Sequence, residues 1–209
     1  EGVWVFASRG EKVRGSVLID TASGHVHGAE GGKTPRDDEH MEVRLDVKTT
    51  SEKETRELGI NIGDCVAFDP RVEGANGFIR SRFLDDKACV ANLAAAIKSM
   101  AEAGLSPART VYFHISNYEE VGHGASAGIP SDVVELVTVD MAVVGRGQES
   151  DEFHVTLCTK DGGGPYHFDL NNKLRALAEK HGIPYKTDVY TFYGSDGEAF
   201  WRAGGDVAL

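Results

Sequence analysis

The chain has 209 residues, 41% apolar and 26% charged, enough for one sizeable core or a core with a small satellite domain. A net charge of −11, from 33 acidic and 22 basic residues, argues against a general nucleic-acid binder, which needs a basic face for phosphates. No apolar run approaches the roughly 20 residues that span a bilayer, and "EGVWVFASRGEKVRG" meets basic residues too soon for a secretory signal. A cytoplasmic location with no membrane partner is therefore expected. Cys65, Cys89 and Cys158 are widely spaced and odd in number, which predicts buried small hydrophobes rather than a disulfide framework or zinc knuckle. Both ends, "VWVFAS" and "GGDVAL", read as strand, which predicts a fragment of a longer protein.

In chain order, residues 1–77 read as β-rich, with strands expected at 3–8, 15–20, 42–47 and 65–70. The intervening "SGHVHGAEGGKTPRDDEH" has the glycine and charge content of a mobile loop, with His25 and His27 in solvent. "SEKETRELGI" predicts a short helix with Ser51 as N-cap, Glu54 three residues on and Gly59 at its end. From residue 78 the pattern alternates strand and helix. "DDKACVANLAAAIKSMAEAG" is a helix whose face Val90, Leu93, Ala94, Ile97, Met100 follows the helical period. Strands are expected at 110–116, 135–144, 153–161 and 186–192, and helices at 170–182 and 196–204. This order implies an α/β fold with a largely parallel sheet.

In such folds chemistry collects at strand ends. Three acidic groups stand there. Asp85 and Asp86 precede a helix, which also suits ordinary N-capping. Glu119 and Glu120 follow a strand, where a solvated turn would equally account for them. Asp140 sits among Val137, Val139, Met141 and Val143, where a carboxylate is costly to bury unless paired with a cation or bound to metal. Together they suit hard or borderline divalent ions, which take oxygen ligands. Two such ions about 3.5–4 Å apart clamp a water and a carbonyl oxygen. Two consecutive glutamates that leave a strand are free to converge, one on metal and one on protons.

"SRFLDDKACVANLAAAI", "NYEEVGHGAS", "VTVD" and "YGSDGEA" resemble, in order and spacing, the dinuclear aminopeptidases of metallopeptidase family forty-two, which include glutamyl and TET-type aminopeptidases. The resemblance runs from about residue 40 to the C-terminus. It implies a three-layer α/β/α, phosphorylase/hydrolase-like catalytic domain over residues 78–209, and part of a β-rich inserted dimerisation domain over residues 1–77. It implies two divalent ions, zinc or cobalt, peptide substrates and a homo-oligomer. Residue by residue, Asp85 matches the bridging ligand, Asp86 its partner after a cis peptide bond, and Glu119 the general base. Glu120 and Asp140 match one ligand for each metal, and Gly194, Ser195 and Asp196 match a turn at the substrate end. Two histidine ligands of the family, one near each end, have no counterpart here.

Other histidines are weaker candidates. His114, within an expected strand, reads as core, and His123 as a residue beside the cleft. "KDGGGPYH" lacks the spacing of a phosphate loop and reads as a glycine-rich connection, bordering the cleft by resemblance. The alternatives to an aminopeptidase are a related deacylase or carboxypeptidase, a glycosidase with facing carboxylates and no metal, and an inactive fragment with an assembly or scaffold role.

Overall fold

The structure, a computed structural model, describes residues 1–209. The chain forms two compact units, Glu1–Arg82 and Phe83–Leu209.

The first unit is built on a four-stranded antiparallel sheet, ordered β3-β2-β1-β4, from β1 (Gly2–Phe6), β2 (Lys12–Ile19), β3 (Met41–Leu45) and β4 (Cys65–Phe68). Alternation along β1 decides its faces: Val3 and Val5 are buried, while Trp4 and Phe6 point the other way. Their cross-strand partners Arg14 and Lys12 lie over those two rings, at 5.1 and 4.9 Å from the centroids. Arg14 also grips Asp69 at 2.6 Å.

The expected loop after β2 contains a helical turn, α1 (Gly24–His27), running into a 3-10 turn at Gly28–Gly32; His25 and His27 are exposed, as expected. α2 (Glu52–Glu57) has the predicted start: Ser51 accepts the Glu54 N–H at 3.3 Å. The Glu54 carboxylate turns back to the Thr50 N–H at 2.6 Å, one residue earlier than an ideal capping box. The sequence reading missed the hairpin of β5 (Glu73–Ala75) and β6 (Phe78–Arg80). Its turn is Asn76-Gly77, both with positive φ, 53° and 82°, which is the preferred tight-hairpin dipeptide.

The second unit is mixed α/β. α3 (Leu84–Glu102) leads to long irregular segments, followed by β7 (Val155–Lys160), α4 (Phe168–His181), β8 (Tyr185–Val189) and α5 (Asp196–Arg202). β7 and β8 pair in parallel across α4, a βαβ unit. α4 ends as its sequence requires: the Gly182 N–H donates to Glu179 O and the Ile183 N–H to Ala178 O, a Schellman closure.

Three expectations fail. Residues 110–116 and 135–144 are not ladder strands; Glu135 alone bridges Ala208, in parallel. Apolar periodicity records a preference for a covered sheet position, but a strand also needs a hydrogen-bonded neighbour. Without one, Val111, Ile115, Val137 and Val139 stand 41% to 61% exposed. A mainly apolar cavity of about 510 Å³ lies between residues 136–142, β7 and α4. The apolar face of α3 is only partly covered: Val90, Leu93 and Met100 are half-buried, Ala94 and Ile97 exposed, and no residue of the helix is buried. The cysteines are all free, but Cys65 is exposed and the other two are half-buried.

Candidate functional site

Two local departures from regular backbone present the carboxylates. Phe83, with φ +63°, enters α3, and Asp85 and Asp86 then take non-helical conformations joined by a cis peptide bond. Regular helix begins only after Asp86, whose carboxyl meets the Cys89 thiol and the Cys89 N–H three residues on, the place of an N-cap. Tyr118, with φ +65°, opens the second departure. Glu119–Val121 form a single 3-10 turn, and Gly122 closes it. A bulky residue in the left-handed region costs about 1–3 kcal/mol and persists only where the surroundings enforce it. Here Tyr118 directly precedes its acidic pair, and Phe83 stands two residues before Asp85. His123 stacks on Tyr118 with ring centroids 5.2 Å apart, and His114, expected in the core, is exposed.

Asp140 arrives from the irregular segment 136–144 and is half-buried. No cation pairs with it. The Met141 N–H donates to its Oδ1 at 2.6 Å, and the Tyr193 hydroxyl donates to its Oδ2.

Seven of the residues singled out from the sequence, Asp85, Glu119, Glu120, Asp140, Gly194, Ser195 and Asp196, line one cleft of about 340 Å³, and Asp86 is not among its lining residues. At its base, ligand oxygens of Asp85, Asp86 and Asp140 lie within 4.8 Å of one another. The tightest cluster thus includes Asp86, where the resemblance implies Glu120; Glu120 lines the cleft outside that trio. The electrostatics are those of uncompensated anions. Burial, then the Asp140 charge, holds the Asp85 carboxyl above its usual range. Burial first, opposed by a Cys89 contact and then reinforced by Asp140, raises Asp86. Glu120 is raised first by Asp85. Burial, then Asp140 and Glu120, pushes Glu119 up to about 7. The Cys89 thiol is pushed up to about 12 by burial and by Asp86, so it is an inert neutral thiol.

The donor set fits a divalent cation. Asp86 Oδ1 is buried with no hydrogen-bond partner, an orphaned acceptor in the middle of an acidic trio. A cation there would satisfy it and reverse the repulsion that raises the neighbouring carboxyls.

The opposite wall is the turn into α5. Asp196 spends both oxygens on protein: Oδ1 accepts the Ala125 N–H at 2.6 Å and Oδ2 the Ser116 hydroxyl at 2.5 Å. It thereby ties the segment before Glu119 and the 3-10 turn Gly124–Ser126 to α5. Buried Ser195 lies 2.8 Å from the Tyr166 hydroxyl. Arg202 is the one basic side chain lining the cleft, held by Glu198 at 3.0 Å and by the Gly122 carbonyl at 3.2 Å. Sequence reasoning missed Tyr193, Glu198 and Arg202. Nothing in local patterning links Tyr193 to Asp140, 53 positions away. For Glu198 and Arg202 the helical spacing of four was a usable signal.

The sequence profile of the M42 glutamyl aminopeptidases matches residues 1–209. YhfE of Bacillus subtilis (strain 168), assigned by name as an aminopeptidase, is 46% identical over 199 residues, 95% of this chain and 57% of that protein. Among solved structures, a TET aminopeptidase from the marine sediment archaeon Thaumarchaeota archaeon SCGC AB-539-E09 superposes with a TM-score of 0.80 at 21% identity, over 96% of this chain and 58% of that one. The TET1 peptidase of Pyrococcus horikoshii, described as assembling into a tetrahedron or a large octahedral shell, gives 0.73 at 23%, over 96% and 60%. The chain therefore spans somewhat under two thirds of the length of these relatives. At these identities the structural likenesses establish the α/β fold; profile and sequence relative together establish descent. The chain belongs to the M42 glutamyl aminopeptidase family.

Proposed function

We propose that this chain carries the acidic half of the catalytic centre of a metal-dependent aminopeptidase, acting on the N-termini of peptides. The observation that carries this reading is the acidic trio with its orphaned Asp86 oxygen, set beside a glutamate whose carboxyl is held near neutrality. Asp85, Asp86, Glu120 and Asp140 are the residues that would hold two divalent ions, zinc or cobalt. When bound, such ions polarise the peptide carbonyl and make water a stronger acid. Glu119 takes the proton of the attacking water and delivers it to the leaving amine. Burial, the largest cause of its raised proton affinity in the metal-free chain, makes Glu119 a stronger base than a solvated carboxylate, which suits the first half of that task. Gly194, Ser195 and Asp196 form the wall against which the substrate's N-terminal end rests. The Ser116 and Ala125 bonds keep Asp196, and with it that wall, fixed relative to the Glu119 turn.

The remaining ligands, two histidines, would come from polypeptide outside these 209 residues, which span 57% of the length of YhfE. We accordingly read the longer protein as the active species, cytoplasmic and assembled into a homo-oligomer through its β-rich unit. The support for assembly is the self-assembly described for the TET1 peptidase of Pyrococcus horikoshii. The isolated 209-residue chain is expected to be inactive and to bind metal weakly. Robust metal-dependent release of amino acids by it would overturn that expectation.

The test of mechanism is Glu119→Gln in the longer protein. Turnover of aminoacyl-anilides is expected to fall by about 10²–10⁴-fold with metal content unchanged. Near-normal turnover would remove Glu119 from the proton-transfer role.

A further inference from the structure

Asp140 is oriented by a group that no ligand assignment includes. Its carboxylate has one protein donor on each oxygen, the Met141 N–H on Oδ1 and the Tyr193 hydroxyl on Oδ2. A carboxylate oxygen accepts two bonds. Each oxygen of Asp140 therefore keeps one lone pair, while the rotation of the group is fixed. The fixed orientation is the one that brings an Asp140 oxygen within 4.8 Å of oxygens from both Asp85 and Asp86.

Tyr193 is itself held from behind. Its ring meets Tyr190 edge-on, 5.4 Å between centroids at 73°. Tyr190 is 3% exposed, and its hydroxyl lies 2.7 Å from Ser150 Oγ. Ser150 gives its single proton to Asp188 Oδ2 at 2.7 Å, so the Tyr190 hydroxyl must be the donor to Ser150. Asp188 is anchored in turn by the backbone N–H groups of Glu149, Ser150 and Val189. Donation thus runs from the Tyr190 hydroxyl through Ser150 to Asp188, on strand β8, and ring packing passes this rigidity to Tyr193.

We infer that Tyr193 is a positioning residue for Asp140: its hydroxyl fixes that carboxylate facing Asp85 and Asp86, and so sets how tightly a divalent ion is held. The inference rests on the proposed reading of Asp140 as a metal ligand. Hydrogen bonds that orient a ligand typically change metal affinity 10–100-fold when removed. Tyr193→Phe is the suitable variant, because it keeps the ring and its contact with Tyr190 and deletes one oxygen.

The experiment is a double-mutant cycle read by zinc titration calorimetry on the longer protein that includes these 209 residues, with the metal alone as probe. The four proteins are unsubstituted, Tyr193→Phe, Asp140→Asn and the double variant. Expected is a 10–100-fold weaker zinc affinity for Tyr193→Phe against the unsubstituted chain. In the Asp140→Asn background the same substitution should change affinity less than about twofold, because the hydroxyl acts through that carboxylate. A Tyr193→Phe affinity within about twofold of the unsubstituted chain overturns the inference. So does an equal loss in both backgrounds, which is the behaviour of a residue that only packs. If Asp140→Asn binds zinc as well as the unsubstituted chain, or the unsubstituted chain binds none, the ligand reading fails and takes this inference with it. That outcome is distinct from Tyr193 failing alone.

Discussion

Glu119 titrates in an unusual place for a carboxylate, and the direction of its shift fixes how the metal-free chain responds to pH. Burial, then Asp140 and Glu120, lifts its carboxyl from 4.5 to about 7, and Asp85, Asp86 and Glu120 move the same way. A group raised on folding binds more protons folded than unfolded between those two values. Stability of the metal-free chain therefore falls as pH rises through that window, and is regained toward acid. His40, raised above 6.5 by Asp37, adds to the same trend as pH rises above 6.5, so Glu119→Gln is the control. In chelator, the urea midpoint is expected to be higher at about pH 5.5 than at about pH 8, with a smaller difference in Glu119→Gln. A midpoint that rises with pH would contradict the electrostatic account. At this scale the sequence was informative for residues that carry their own oddity: an aspartate in an apolar run, two glutamates before a glycine. It was silent on Tyr193, whose role exists only through a contact across 53 positions. It also left Asp86 in second place, because the backbone geometry that turns it into the trio is not written in residue type.

At the scale of elements, the turns matter more than the strands. Gly124 illustrates the tolerance. A Cβ there would stand 2.7 Å from Asp196 Oδ2 and 2.8 Å from Ser116 Oγ, the two groups that tie the turn to α5. Gly124→Ala is expected to destabilise by about 1–3 kcal/mol, read by urea unfolding, because neither partner moves without breaking the Asp196 bonds. Stability equal to the parent would show that the wall is more plastic than these contacts imply. Helix ends and the first sheet were readable because their determinants are local: Ser51 with Glu54, Gly182 before Ile183, alternation along β1. The hairpin at Glu73–Arg80 was equally local and was overlooked, although Asn76-Gly77 marks it. Residues 110–116 and 135–144 are a different kind of miss. Their pattern is strand-like, but strand formation depends on a neighbour elsewhere in space, which periodicity does not report.

For the whole molecule, membership of the M42 family and the convergence of seven ordered residues on one cleft point the same way. The first unit has a covered sheet face and an outer face shielded by cross-strand cations. The second concentrates buried polar groups, Asp161, Asp188, Ser195 and Glu198, around the cleft and its supports. Separately, Asp85, Asp86 and Asp140, the last two half-buried, crowd three carboxylates together without a compensating cation, a cost that an ordinary fold avoids. The account therefore stands or falls on whether divalent metal occupies the acidic trio. The direct measurement is the metal content of the longer protein, followed by aminoacyl-anilide hydrolysis before and after chelation. The account predicts about two divalent ions per chain, activity abolished by chelator and restored by zinc or cobalt. Metal-free protein that hydrolyses these substrates at an undiminished rate would contradict it.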